Sequence, residues 1–229
     1  MKATLLFLIS FLPLLSGAQQ HMEITGGLNG TRLYVENVDN SKYDAIDGSP
    51  YLSEEFVTAK INDVEKTQFI RFNVFDNIIE VQMEDKKTVM LNLENEIDIK
   101  LLDGSKKQYR TASYLKDGTK SKSFFEVIND GDNYSLYKQE RKLYQEEQEA
   151  EAFKEKQRAK FVARSPIFFV TDFNSDSPIL LEVPKKKKKF ITLFGKKGKE
   201  VEKYMKQKKL NFKEKDDLVQ IMDFISSDG

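Results

Sequence analysis

The sequence predicts a mainly β fold: an antiparallel meander of about eight to ten strands, curled or barrel-like, closed off by a C-terminal helical hairpin. Three observations carry this. Apolar residues alternate with polar ones at period two from Phe56 to Leu143. The breaks between the alternating runs are only a few residues long. After Pro184 the apolar spacing changes to i, i+3, i+4.

In Phe56–Asn62, the residues Val57, Ala59 and Ile61 share one face. Ile70, Phe72 and Val74 do so in the next run, then Ile79, Val81 and Met83, then Val89, Leu91 and Leu93, then Ile97, Ile99 and Leu101. Runs at Gln108–Leu115, Ser123–Ile128 and Tyr134–Leu143 continue the pattern, and Phe161–Thr171 and Ile179–Val183 add two more strands. Successive side chains on a strand point to opposite faces, so each run has one apolar side. The breaks, such as Phe75-Asp76-Asn77, Asp103-Gly104-Ser105 and Asp117-Gly118, are turn-like. Connections this short join antiparallel neighbours, because a parallel crossover needs a dozen residues or more. Before this block, Gln19–Pro50 is weakly patterned, with Thr31–Val38 as one short strand. Glu140–Lys160 is highly charged and reads as either an exposed helix or a solvated connection. Beyond Pro184, Phe190, Leu193 and Phe194 form a short apolar turn. Val201, Tyr204 and Met205, and then Leu218, Ile221, Met222 and Ile225, mark two amphipathic helices. Asp216 and Asp217 suit the positive N-terminal end of the second.

The N-terminus has the three parts of a secretory signal. Lys2 starts it, an apolar run from Leu5 to Leu15 follows, and Ser16-Gly17-Ala18 places small residues where a signal peptidase cuts. The expected organisation is a signal peptide over 1–18, a β domain over 19–184 and a basic helical segment over 185–229. The apolar run is shorter than the roughly 20 residues that span a bilayer. Export to the periplasm or the outside follows, with no transmembrane segment after cleavage. The chain has no cysteine, which excludes disulfides, thiol catalysis and Cys-ligated metals. Packing alone must hold the fold, and 17 Phe and 9 Tyr supply aromatic mass for it.

Four places resemble a family of secreted, β-rich proteins of unknown function common in Bacteroidota. They are Gly48-Ser49-Pro50-Tyr51-Leu52 with Glu55-Phe56, Arg71–Phe75 leading to Ile79-Glu80, the Phe124–Tyr137 strand pair, and the Lys185–Ile225 block. The resemblance implies export and a β body with a basic helical tail. It implies no activity and no functional residues.

No catalytic, cofactor-binding or metal-binding motif emerges. His21 is the single histidine and lies just past the expected cut. The pairs Glu54 with Glu55 and Asp76 with Glu80 do not stand out among 37 acids as a hydrolase dyad. Asp172–Val183 begins like a calcium loop but has Ser177 in place of the sixth-position glycine and Val183 in place of the final glutamate. Gly195-Lys196-Lys197-Gly198-Lys199 lacks phosphate-loop spacing. Arg71, Glu80, Glu84, Asp98 and Lys100 place charge at mid-strand on the second face, which suits water and argues against an outer-membrane barrel.

Charge is the one outstanding feature. The chain from Gln19 to Pro184 holds 22 basic and 30 acidic residues, and the chain from Lys185 to Gly229 holds 14 and 7. Lys185, Lys186, Lys187, Lys188 and Lys189, with Lys199, Lys203 and Lys206 on the following helix, form a candidate surface for anionic lipid or acidic glycan. Alternatively they are solvated or dock on the acidic body. Export argues against nucleic acid as the partner. The expected function is a non-enzymatic binding or structural module. A lipocalin-like carrier of a small apolar ligand is the alternative, distinguished by a void on the inner sheet face, and a carboxylate-dependent hydrolase is a third.

Overall fold

The computed structural model describes residues 22–26, 31–94, 96–116, 118–131, 134–150, 155–172 and 178–227. The expected signal peptide over 1–18, His21 and residues 173–177 of the calcium-loop-like stretch lie outside them. The strands are β1 (Met22–Gly26), β2 (Thr31–Asn37), β3 (Val57–Ile61), β4 (Gln68–Asn73), β5 (Ile78–Gln82), β6 (Thr88–Leu91), β7 (Asp98–Leu101), β8 (Gln108–Lys116), β9 (Thr119–Asp130), β10 (Tyr134–Gln145), β11 (Lys160–Asp172) and β12 (Leu181–Glu182). The helices are α1 (Lys187–Thr192), α2 (Gly198–Lys208) and α3 (Lys215–Ser227).

All twelve strands form one antiparallel sheet in the order β1-β2-β6-β5-β4-β3-β7-β8-β9-β10-β11-β12. The fold is mainly β, as the alternation predicts, but the sheet is open, and it has more strands than expected. It is also not a single meander. The block β3–β6 is reversed, so β6 pairs with β2 and β7 pairs with β3. Periodicity shows which face a residue occupies, and that expectation holds: Ala59, Ile61, Ile79, Val81, Val89 and Ile99 are fully buried. It carries no information on which strand neighbours which.

The first nine strands curl. β5 touches β9 although five places separate them in the sheet. One apolar core runs from Ile24 on β1 through Val81 and Leu91 to Tyr109 and Phe124 on β8 and β9. A second core lies where the helices cover β10 and β11, joining Leu136 and Val170 to Phe190, Val201, Leu218 and Ile221. A third packs Phe125, Tyr137, Phe169 and Leu180 on the opposite side. Adjacent Phe124 and Phe125 therefore enter different cores, as strand pleating requires.

The expected helical hairpin is present, with α1 as an additional short helix before it. Val201 and Met205 are buried on α2, while Leu218, Ile221, Met222 and Ile225 are buried on α3. Tyr204 stacks on Phe224 with ring centroids 4.1 Å apart. Asp216 and Asp217 occupy the first turn of α3.

Two expectations need correction. The ends of Glu140–Lys160 are β structure: β10 runs on to Gln145, β11 starts at Lys160, and a Gln148–Gln157 bridge prolongs the hairpin. Charge there masks a strand pair that stands clear of the core. The second face of β4 and β5 is not uniformly wet either. Glu84 and Lys100 are exposed, but Glu80 is buried and Arg71 nearly so. The segment around Tyr43 and Tyr51 folds over them, and Tyr43 meets Tyr51, Phe75 and Phe161 edge-on.

Candidate functional site

The basic segment is built by a change of backbone regime. Pro184 ends strand pairing, Lys186 stays extended, and Lys187, Lys188 and Lys189 fall in α1, whose first turn contains no acidic residue. Cations at a helix N-terminus oppose the helix dipole, so these lysines are not placed for helix stability. On α2, burial of Val201 and Met205 leaves Lys199, Lys203 and Lys206 exposed. Lys185, Lys186, Lys187, Lys188 and Lys189 are exposed as well. Only Lys187 among these eight makes an ion pair, with Glu202 of α2 at 3.4 Å. Among the described residues, no ion pair ties these lysines to the carboxylates of the sheet.

Lys185 leads directly into a groove of about 720 Å³ between the outer edge of β11 and the turn before α3. Pro166, Ile167, Phe168, Val183 and Phe212 give it an apolar lining. Arg141 of β10 and Arg164 of β11 are cross-strand partners and both line it. Neither guanidinium pairs with a described carboxylate. Like charges directly opposite each other destabilise a sheet, so this arrangement is not explained by stability. Lys213 and Lys215 add charge on the helical side, against Glu182 and Glu214. Sequence reasoning missed Arg141 and Arg164 because alternation places them on the Tyr134–Leu143 and Phe161–Thr171 strands without saying that those strands pair or in which register. Once they are paired, the two arginines fall opposite one another.

A second cavity, about 360 Å³, opens at one end of the curled sheet. Val57, Ile70, Phe72, Ile79 and Leu101 line it, and Tyr109 lies at its wall. The Tyr109 hydroxyl is buried without a hydrogen-bond partner. Burial, reinforced by the nearby Glu126 charge, pushes its pKa well above the ordinary range.

Between the first two cores runs a charged seam. Lys138 Nζ lies 2.8 Å from Glu126 Oε2 and 2.7 Å from Glu140 Oε1. Burial alone would lower the Lys138 pKa, but the two carboxylates overcome it and hold the ammonium above its usual range. On the other side of the sheet, Arg110 bridges Asp98 at 3.1 Å and Asp130 at 3.0 Å. The hydrogen bond from Arg110 lowers the Asp130 pKa.

Of the carboxylate pairs named from sequence, Glu54 and Glu55 are exposed, and Asp76 and Glu80 are engaged with separate partners. Asp76 accepts hydrogen bonds from Lys42 and from the Tyr43 hydroxyl, while Glu80 accepts from Arg71. Among the described residues, no three His, Asp or Glu side chains gather as a metal ligand set, and no helix is long and apolar enough to cross a membrane. No family model, curated protein or solved structure matches the chain.

Proposed function

We propose that the protein is an exported, non-enzymatic binding module that attaches to anionic lipid surfaces of the envelope through its basic C-terminal segment. One observation carries this reading: Lys185–Lys189 and the outer lysines of α2 are exposed and make no ion pair with the acidic sheet. Each basic residue near an anionic surface contributes about 1 kcal/mol. The signal sequence and the resemblance to secreted proteins support export. Mass spectrometry of native protein should find Gln19 at the mature N-terminus, and an intact Met1 would overturn the export reading.

The binding test is co-sedimentation with vesicles of anionic or neutral lipid across a salt series, with acidic polysaccharide as a parallel arm. Binding to anionic vesicles alone is expected. It should weaken steeply above about 0.15 M salt, where the Debye length falls below about 8 Å. Replacing Lys185–Lys189 with glutamine should remove most of it without lowering the melting temperature. A lower melting temperature with no salt-dependent binding would mean that the lysines serve the fold instead. Binding to the polysaccharide but not to vesicles would transfer the role to glycan.

The cavity of about 360 Å³ favours a second reading, a carrier of a small apolar ligand, since pockets of this kind begin at about 300 Å³. Native mass spectrometry of protein purified without detergent tests it. A bound small molecule lost on Ile70→Trp supports the carrier, and its absence from the unsubstituted protein counts against it.

A further inference from the structure

We infer that the groove between β11 and the turn before α3 binds one single-chain anionic amphiphile, with Arg141 and Arg164 gripping its oxyanion head and the apolar lining holding its chain. This deepens the anionic-surface reading and rests on it for the source of the ligand, a lipid.

The head-group assignment follows from charge. Arg141 and Arg164 stand opposite each other in the β10–β11 register, both line the groove, and no described carboxylate neutralises either. A planar guanidinium fork matches a carboxylate or phosphate in bidentate geometry. An oxyanion between the two relieves their repulsion and supplies the missing counter-charge. Lys185, Lys213 and Lys215 add three further cations, and Glu182 and Glu214 are the only acids in the lining. The net field therefore favours an anion.

The chain assignment follows from shape. Ile167, Phe168 and Phe212 give the same groove an apolar side, and its volume of about 720 Å³ lies within the range of sites for small molecules. A free inorganic anion would leave that surface wet. An extended acidic peptide added to the β11 edge is the competing occupant. It is disfavoured because the edge is already bridged by Asp47 at its start and by β12 near its end. Between them stands Pro166, which offers no backbone donor.

Isothermal titration of the mature protein with dodecyl phosphate tests the inference, with inorganic phosphate, dodecanol and an oligoglutamate peptide as comparison probes. Dodecyl phosphate should bind at one per chain and at least ten-fold more tightly than any of the others. Arg141→Gln with Arg164→Gln should weaken it at least ten-fold. Because the substitution removes like-charge repulsion, the melting temperature should hold or rise, which separates lost binding from lost folding. The single variant Arg164→Gln, at the more exposed of the two positions, should give an intermediate loss. Glutamine at Lys186, Lys187, Lys188 and Lys189, which lie outside the groove lining, should change groove affinity less than three-fold while removing most vesicle binding, so failure of the surface reading and failure of the groove are distinguishable. Equal affinity for inorganic phosphate and dodecyl phosphate, tighter binding of oligoglutamate, or unchanged binding in the double arginine variant would each overturn the assignment.

Discussion

Arg71 holds Glu80 in a buried ion pair, with Nη2 at 2.6 Å and Nε at 3.2 Å from the same carboxylate oxygen. Glu80 is 0% exposed and Arg71 14%. The guanidinium also lies over two rings, 3.6 Å from the Tyr51 ring centroid and 4.5 Å from that of Phe56. The pair joins β4 to β5 and fixes the segment that folds over them.

Breaking this pair from one side should be severe. Glu80→Ala leaves Arg71 with only the Glu54 carbonyl as a hydrogen-bond partner. Removing one member of a buried pair costs about 3–5 kcal/mol, against a total stability of about 5–15 kcal/mol. Glu84→Ala, at a side chain 85% exposed, should leave the midpoint essentially unchanged, as surface substitutions usually do. Urea titration compares them. The double variant Arg71→Met with Glu80→Leu should recover most of the loss, because apolar packing replaces a buried pair well. Equal midpoints for Glu80→Ala and Glu84→Ala would contradict the structure.

On the inner face, Val81 and Leu91 lie in the first core with almost no exposure. Aspartate at either position buries an unpaired charge that costs several kcal/mol. Neither Val81→Asp nor Leu91→Asp should yield soluble folded protein. Soluble variants with wild-type circular dichroism would show that the strand register is wrong.

The contrast between these two faces shows what was legible. Period-two alternation places Val81 inward because the inner face is continuous and apolar. Glu80 looks like a water-facing residue by the same rule. Its burial depends on Tyr43 and Tyr51, which arrive from a segment with no periodicity and make their contacts across long sequence separations. The candidate site divides the same way. Lys185–Lys189 is visible as a run, whereas Arg141 and Arg164 lie 23 positions apart and meet only through the β10–β11 pairing.

Alkaline pH should destabilise the protein. Burial raises the pKa of Tyr109, Tyr51 and Tyr137. A tyrosine whose folded pKa exceeds its unfolded value of about 10 contributes stability that is complete below that pH. That contribution is lost as pH rises towards the folded pKa, because the unfolded chain ionises first. Lys138, also raised, acts in the same direction and window. Stability should therefore fall from about pH 10 upward. Tyr109→Phe removes one titrating group together with its unpartnered hydroxyl, and keeps the ring contact to Phe72. An unsatisfied buried group costs about 1–3 kcal/mol, so this variant should be at least as stable at pH 8 and should lose less between pH 10 and 12. A lower midpoint at pH 8 would mean that the hydroxyl has a partner.

Two glycines in the basic segment serve different physical ends, and substitution separates them. Gly198 starts α2 with an ordinary helical φ of −56°, so its backbone would accept any residue. A Cβ there would lie 2.7 Å from the Ile191 carbonyl oxygen and 3.1 Å from Ile191 Cγ2. Glycine is needed because α1 passes close, and the obstacle is backbone. Gly195 is the reverse: nothing lies within 4 Å of its Cβ position, but its φ is +49°. Gly198→Ala should cost about 1–3 kcal/mol by overpacking, offset by up to about 1 kcal/mol of helix propensity. Gly195→Ala should cost about 1–2 kcal/mol from left-handed backbone strain alone. Asparagine tolerates that conformation, so Gly195→Asn should recover much of the loss, whereas Gly198→Asn should be no better than Gly198→Ala. Thermal melts of the four variants decide it. Rescue by asparagine at both positions would mean that α1 and α2 are not in the close contact described.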